Sequence, residues 1–325
     1  MSAAAPGSAL VFPGQGAQKV GMGRALAGVS DAARSVFERA DRALGFPLSR
    51  VCFEGPEEAL RLTATTQPAI LATAVAAFEA LRERLGPGWP ATVRCAAGHS
   101  LGEYAALVAA AALDLEDAVR IVRRRGEYMQ EAVPDGQGAM IAVLGLPGGT
   151  VEALCGEAAG GEVLSAANLN APDQTVVAGT AAAVDRLAGL LKTRGAGRVV
   201  RLPVSAPFHC ALMEPAARRL GEDLERLPLR DAAFPVIVNV NARPTRDARS
   251  LKRALADQVT SPVRWVDTVR AFAAAGAALQ IECGPGRVLS GLARRIDPRL
   301  SLLNVEDPES LERAAQALAP GGGQA

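Results

Sequence analysis

The chain has 325 residues, which at roughly 150 residues per folding unit fits two units, or one large α/β domain carrying an insertion. It is 49% hydrophobic and 21% charged, a composition that excludes wholesale disorder. Its 35 Lys and Arg against 34 Asp and Glu leave a net charge of +1, and aromatics make up 4%, which argues against nucleic-acid capture by a global basic field or by base-stacking platforms.

Residues 1–8 and 319–325 are rich in Ala, Gly, Ser and Pro and read as flexible termini. Met1 to Leu10 has neither a basic start nor an apolar stretch, so no secretory signal is expected. Leu10-Val11-Phe12 predicts a strand that stops at Pro13-Gly14. Gln67 to Arg84 has helical periodicity, Thr92 to Ala96 reads as a short strand, and Leu101 to Leu113 and Leu115 to Glu131 as two helices. The apolar run Tyr104 to Leu113 is about half the roughly 20 residues of a membrane span. Met140 to Leu144, Thr175 to Ala178 and Arg198 to Val204 are β-like, with helices over Thr150 to Glu157 and Ala181 to Arg194 between them. Near the end come a strand at Leu279 to Glu282, a Gly-Pro-Gly loop and a helix from Val288.

Strand, loop and helix in alternation predict an α/β fold with a mostly parallel sheet. The β-α-β-α-β rhythm in the middle resembles a small ferredoxin-like insertion. Pro134-Asp135-Gly136 and Pro203 mark its hinges, giving a large unit of 9–135 and 204–316 and a small unit of 136–203. The five cysteines, at 52, 95, 155, 210 and 283, form no CxxC pair, and with two histidines in the chain a Cys/His zinc site has little to work with. Free, buried thiols in a reducing cytoplasm are expected.

Gly98-His99-Ser100-Leu101-Gly102 follows a predicted strand and opens a helix, the context of a nucleophile elbow. Ser100 reads either as a nucleophile beside helix N–H groups or as a helix cap. A serine nucleophile needs a base. His99 is adjacent in sequence and would diverge from Ser100 at an elbow, so His209 is the candidate, the alternative being a satisfied core histidine. Phe12-Pro13-Gly14-Gln15-Gly16-Ala17-Gln18 lacks the third glycine of a dinucleotide fingerprint, since residue 19 is Lys. Its use would be a loop whose N–H groups face an oxyanion, shared with the N–H of Leu101, or merely a strand-to-helix turn. Arg123, Arg124 and Arg125 cannot all share one helix face, so at most one or two can face a cleft, where an arginine suits a substrate carboxylate, the alternative being an ordinary solvated charge run.

Together these motifs resemble the malonyl-CoA:acyl-carrier-protein transacylases of fatty-acid and polyketide synthesis. The resemblance runs from about residue 9 to about residue 315 and includes Arg125-Gly126, Met129-Gln130, Gly138-Ala139-Met140, Ala167-Asn168-Leu169-Asn170, Phe208-His209, Gln258, Ser261-Pro262-Val263 and Glu282-Cys283-Gly284-Pro285-Gly286. It implies a large α/β hydrolase-like core with a parallel sheet, a small ferredoxin-like subdomain and an active site between them. It implies Ser100 as the acylated nucleophile, His209 as its base, and the N–H groups of Gln15 and Leu101 as the oxyanion hole. Arg125 would pair with the malonyl carboxylate, and the main-chain carbonyl of Gln258 would orient His209. Asn168 and Asn170 would sit near the cleft. Leu101 after the serine and Phe208 before the histidine accompany malonyl rather than methylmalonyl; a bulky Phe fills the room an α-methyl would need, a group worth about 1–3 kcal/mol.

The implied reaction moves malonyl from malonyl-CoA to Ser100 and then to the phosphopantetheine thiol of an acyl carrier protein. The partners are that carrier protein and malonyl-CoA, with no nucleic acid and no membrane, and the enzyme is expected to be a cytoplasmic monomer. No metal or organic cofactor is implied, the phosphopantetheine belonging to the carrier. Alternatives are a free-standing malonyl loader for a polyketide synthase, a serine thioesterase or hydrolase, and a non-catalytic docking module. Arg186, Lys192, Arg194, Arg198 and Arg201 offer a basic docking stretch, or an ordinary solvated helix and loop.

Overall fold

The segment Ser8–Phe12 carries only small or apolar side chains, and all five are buried. A strand of that kind must be covered on both faces, which places it inside a parallel sheet. The computed structural model describes residues 7–319 apart from Pro87, Ala196 and Ser205. Residues 1–6 and 320–325 of the expected flexible termini lie outside the described residues. Ser8 belongs to the first strand, not to a tail.

The described strands are β1 (Ser8–Phe12), β2 (Val93–Gly98), β3 (Gly138–Leu144), β4 (Leu164–Ala171), β5 (Gln174–Thr180), β6 (Arg198–Arg201), β7 (Val236–Ile237), β8 (Pro244–Thr245), β9 (Leu279–Cys283) and β10 (Ser301–Val305). Six form one sheet in the order β10-β9-β1-β2-β7-β8. Its pairs are parallel except β7 with β8 at the edge. The other four form an antiparallel sheet in the order β4-β5-β3-β6.

Helices cover both faces of the larger sheet. On one, Leu10, Phe12 and Ala96 pack with side chains of the helices Asp31–Leu44, Thr63–Leu85 and Leu115–Glu131. Alanines fill much of Thr63–Leu85, and their small side chains let this long helix lie almost wholly buried. On the other face, Ala9, Val11, Cys95 and Ala97 meet Trp265, Phe272 and Leu289. The smaller sheet has its own core, in which Ile141, Val143 and Val177 pack on Val151, Leu154, Val184 and Leu187 of the helices Gly148–Ala158 and Ala181–Thr193.

The middle of the chain therefore runs β-α-β-β-α-β, one strand more than the sequence rhythm predicts. The additional strand is β4, whose pairing with β5 slips between Ala166 and Asn168 and again between Leu169 and Ala171. Each slip breaks the two-residue alternation that makes a strand visible in sequence. The smaller sheet is tied to the rest of the chain where Asn168 bridges Val263, in the loop before the helix Trp265–Ala274. Leu169 N–H donates to the Val263 carbonyl at 2.9 Å, and Val263 N–H to the Ala167 carbonyl at 2.9 Å.

All five cysteines are buried and unpaired, and burial pushes the thiols of Cys52, Cys95 and Cys155 up to about 12. Among the described residues no helix is long and apolar enough to cross a membrane. Three cations of the predicted docking stretch are paired with acids: Arg186 with Glu162, Arg194 with Glu157 and Arg201 with Asp185. These cations are therefore partly neutralised, by Glu157 of the helix Gly148–Ala158, by Glu162 of the turn after it and by Asp185, which directly precedes the stretch.

Candidate active site

The site stands at the carboxyl ends of the parallel strands. β2 ends at Gly98 and the chain turns sharply into the helix Gly102–Ala109, with Ser100 at φ 51° at the apex. This left-handed backbone is uncommon for a residue with a side chain. Close packing enforces the turn: a Cβ on Gly98 would lie 1.8 Å from the Gly102 backbone, and one on Gly102 2.1 Å from the Phe12 carbonyl oxygen. Asn239, just past β7, clasps the same turn. Its Oδ1 accepts the Ser100 N–H at 2.7 Å, and its Nδ2 donates to the Gly98 carbonyl at 2.7 Å.

Ser100 Oγ lies 2.7 Å from His209 Nε2, and His209 Nδ1 lies 2.9 Å from the Gln258 carbonyl oxygen. A carbonyl only accepts, so Nδ1 carries the proton and Nε2 is left to accept from the serine hydroxyl. Burial, and then the nearby Arg125 guanidinium, push His209 down to about 3, so the ring is neutral at ordinary pH. His99 is turned away from Ser100: its Nε2 lies 2.8 Å from Asn170 Oδ1 and its ring centroid 5.5 Å from that of Trp265.

Arg125 is 1% exposed. Its Nη1 donates to Gln67 Oε1 at 2.8 Å, and its Nη2 to Gln258 Oε1 at 3.0 Å and to Ser100 Oγ at 3.1 Å. Arg123 and Arg124 instead pair with Glu127 and Asp223 on the outside of the helix. The triplet therefore splits as helix geometry requires. Among the described residues, no hydrogen bond occupies the N–H of Gln15 or of Leu101.

A cleft of about 550 Å³ gathers these groups; the smaller sheet lines one side, and loops and helices around the larger sheet line the other. Gln15, Ser100, Leu101, Arg125, Phe208 and His209 come from the larger unit, and Met140 and Asn168 from β3 and β4. Two residues predicted to bind substrate are not on its wall. Gln258 is fully buried behind Arg125 and His209, and Asn170 faces His99. Gln67, Asn239 and Glu103 are site residues that sequence reasoning missed. Glu103 alone left a signal, a carboxylate in an otherwise apolar helix; the amides of Gln67 and Asn239 find their roles only through partners far away in the chain.

Residues 9–295 match the family model described as acyl transferase domain. The malonyl CoA-acyl carrier protein transacylase of Bacillus subtilis is 44% identical over 95% of this chain and 96% of its own. The chain belongs to the malonyl CoA-acyl carrier protein transacylase family. A solved transacylase of this family from Coxiella burnetii superposes with a TM-score of 0.92 at 43% identity, covering 97% of this chain and 98% of its own. A malonyl-transacylase solved in complex with its type II PKS acyl-carrier protein superposes at 0.91 with 42% identity, covering 95% of this chain and 99% of its own. Membership of the transacylase family thus joins a serine, a neutral histidine and a buried arginine that geometry alone had already brought together.

Proposed function

We propose that the protein transfers malonyl from malonyl-CoA to the phosphopantetheine thiol of an acyl carrier protein, through a malonyl ester on Ser100. The observation that carries this reading is Ser100 Oγ held at once by His209 Nε2 at 2.7 Å and by the buried Arg125 at 3.1 Å. Ser100 attacks the thioester carbonyl and its proton passes to His209 Nε2. The negative charge that forms on the carbonyl oxygen meets the N–H groups of Gln15 and Leu101. CoA leaves as the thiol, taking the proton from His209. The carrier thiol then gives its proton to His209 and attacks the ester, and the serine hydroxyl is restored.

Arg125 selects the acyl group. Its spare Nη1 donor and the Nη2 donor resting on Ser100 suit a carboxylate, which would at the same time release the serine hydroxyl from the guanidinium. Phe208 on the cleft wall restricts room beside the acyl α-carbon. Asn168 faces the same space, while Asn170 serves the joint with His99.

The β-α-β-β-α-β order and the strand order β4-β5-β3-β6 support a ferredoxin-like small subdomain over 136–203. The elbow at the end of a parallel strand supports a hydrolase-like core over 9–135 and 204–316. We read the enzyme as a cytoplasmic monomer. The complex with a type II PKS acyl-carrier protein favours a second reading of the partner, in which the same chemistry loads a polyketide carrier.

Intact mass after incubation with malonyl-CoA, without carrier, tests the reading. An increment of one malonyl group that is absent in Ser100→Ala is expected. Free malonate with no adduct would instead mark a hydrolase, and a silent protein that binds carrier a docking module.

A further inference from the structure

The helix that begins at the nucleophile turn, Gly102–Ala109, carries one carboxylate, Glu103, which is 0% exposed. Its Oε2 accepts the Asn239 N–H at 2.8 Å and the Gln258 Nε2–H at 3.1 Å, and its Oε1 has no hydrogen-bond partner among the described residues. Asn239 clasps the serine turn, and Gln258 orients the histidine through its main-chain carbonyl. Glu103 thus anchors the supports of both the nucleophile and its base.

Arg125 needs a counter-charge, because an isolated buried cation is costly. Its direct partners, Gln67, Gln258 and Ser100, are all neutral. Glu103 is the one carboxylate whose charge reaches it. Gln258 links the two, accepting from Arg125 at Oε1 and donating to Glu103 from Nε2. This inference rests on the malonyl reading above. We propose that Glu103 is a positioning residue and the internal counter-ion of Arg125, and that its protonation state sets how strongly the cleft prefers an acyl group ending in a carboxylate.

Ionised, Glu103 already compensates the guanidinium, and an incoming malonyl carboxylate competes for the same charge. Protonated, it leaves that charge to the substrate. Burial lifts Glu103 to about 7, against the lowering effects of the Asn239 and Gln258 bonds and of Arg125, so the change falls in the working range. The other titratable groups around it keep their state there. Burial pushes Tyr104, on the same helix, well above the usual tyrosine range. His209, on its loop, is held down to about 3, His99 is lowered by burial, and Arg125 remains a cation. Gln67, Asn239 and Gln258, from the remaining packed elements, do not titrate. A malonyl group at Arg125 repels the Glu103 charge in turn, so malonyl binding takes up protons near neutral pH and acetyl binding does not.

The test is the ratio of kcat/KM for Ser100 acylation by malonyl-CoA and by acetyl-CoA, from about pH 6 to about pH 8.5. The CoA phosphates and His209 are common to both donors and cancel in the ratio. The expected result is a ratio that falls about fivefold or more with rising pH, and a flat ratio in Glu103→Gln. A flat ratio in the wild-type protein would overturn the proposal, as would a Glu103→Gln variant that keeps the wild-type slope. Should that variant not fold, the wild-type slope decides, together with proton uptake on adding malonyl-CoA measured in buffers of different ionisation enthalpy. Absence of any malonyl adduct removes the functional reading itself, a result distinct from an adduct with a flat ratio.

Discussion

In the proposed mechanism Arg125, one buried side chain, serves both selection and reactivity. It donates to the nucleophile, and its charge is the second cause, after burial, of the low basicity of His209. Arg125→Ala removes the proposed partner of the substrate carboxylate, a charge-assisted contact worth about 1.5–3 kcal/mol. Malonyl transfer should fall accordingly while acetyl transfer is spared, and unchanged malonyl-over-acetyl selectivity would refute the role. The same substitution lets His209 take a proton more readily. A base with a raised pKa is lost to protonation at higher pH, so the acid limb of acetyl transfer should move up in pH in this variant. Rates of acetyl transfer measured across the acid range, in wild type and variant, give that comparison directly.

At the scale of elements, close contacts decide where the chain turns. Gly98→Ala sets a Cβ 1.8 Å from backbone that cannot yield, so the strand and helix at the serine must part. Loss of cooperative folding, or at least about 3 kcal/mol of stability, is expected. Gly291, inside the helix Val288–Ile296, meets nothing within 4 Å, and Gly291→Ala should stabilise by about 0.5–1 kcal/mol. Thermal melts of the two variants should shift in opposite directions. Elements of this kind are partly legible in sequence. A continuous apolar run gave away β1, the alternating Leu279-Gln280-Ile281-Glu282 gave away β9, and helical periodicity marked Leu115–Glu131 at its observed bounds. β4 escaped because its register slips, and β7 and β8 because two residues each carry no pattern. Ser100, His209 and Arg125 stood out as residue types able to do chemistry. Glu103 showed only as a carboxylate in an apolar helix, and Asn239 and Gln67 did not show at all, because each acts through partners brought together only by the fold; Asn239, for example, bonds Gly98 and Glu103 across 141 and 136 positions of chain.

Across the whole molecule, the cleft has two walls, and how firmly they meet bears on whether water reaches an acyl group held between them. Met140 and Asn168 belong to the smaller sheet, and Ser100 to the turn that follows β2 of the larger one. The smaller sheet is tied to the loops around the larger one by the backbone pair of Val263 with Ala167 and Leu169, each bond 2.9 Å long, and by the His99–Asn170 contact at 2.8 Å. Val263→Pro removes one donor of that pair without touching any group that reacts. A buried carbonyl left unpaired costs about 1–3 kcal/mol, and the smaller sheet with its separate core can keep its own fold while the joint loosens. Water then gains access to the proposed ester on Ser100. Transfer to carrier should decline modestly while hydrolysis of the malonyl-enzyme accelerates, so the fraction of malonyl lost to water rises. Single-turnover decay of the isolated malonyl-enzyme, with and without carrier, separates the two rates. Equal loss of both would mean that the joint supports the fold alone; a selective rise in hydrolysis would mean that holding the two sheets together is what keeps this chain a transferase.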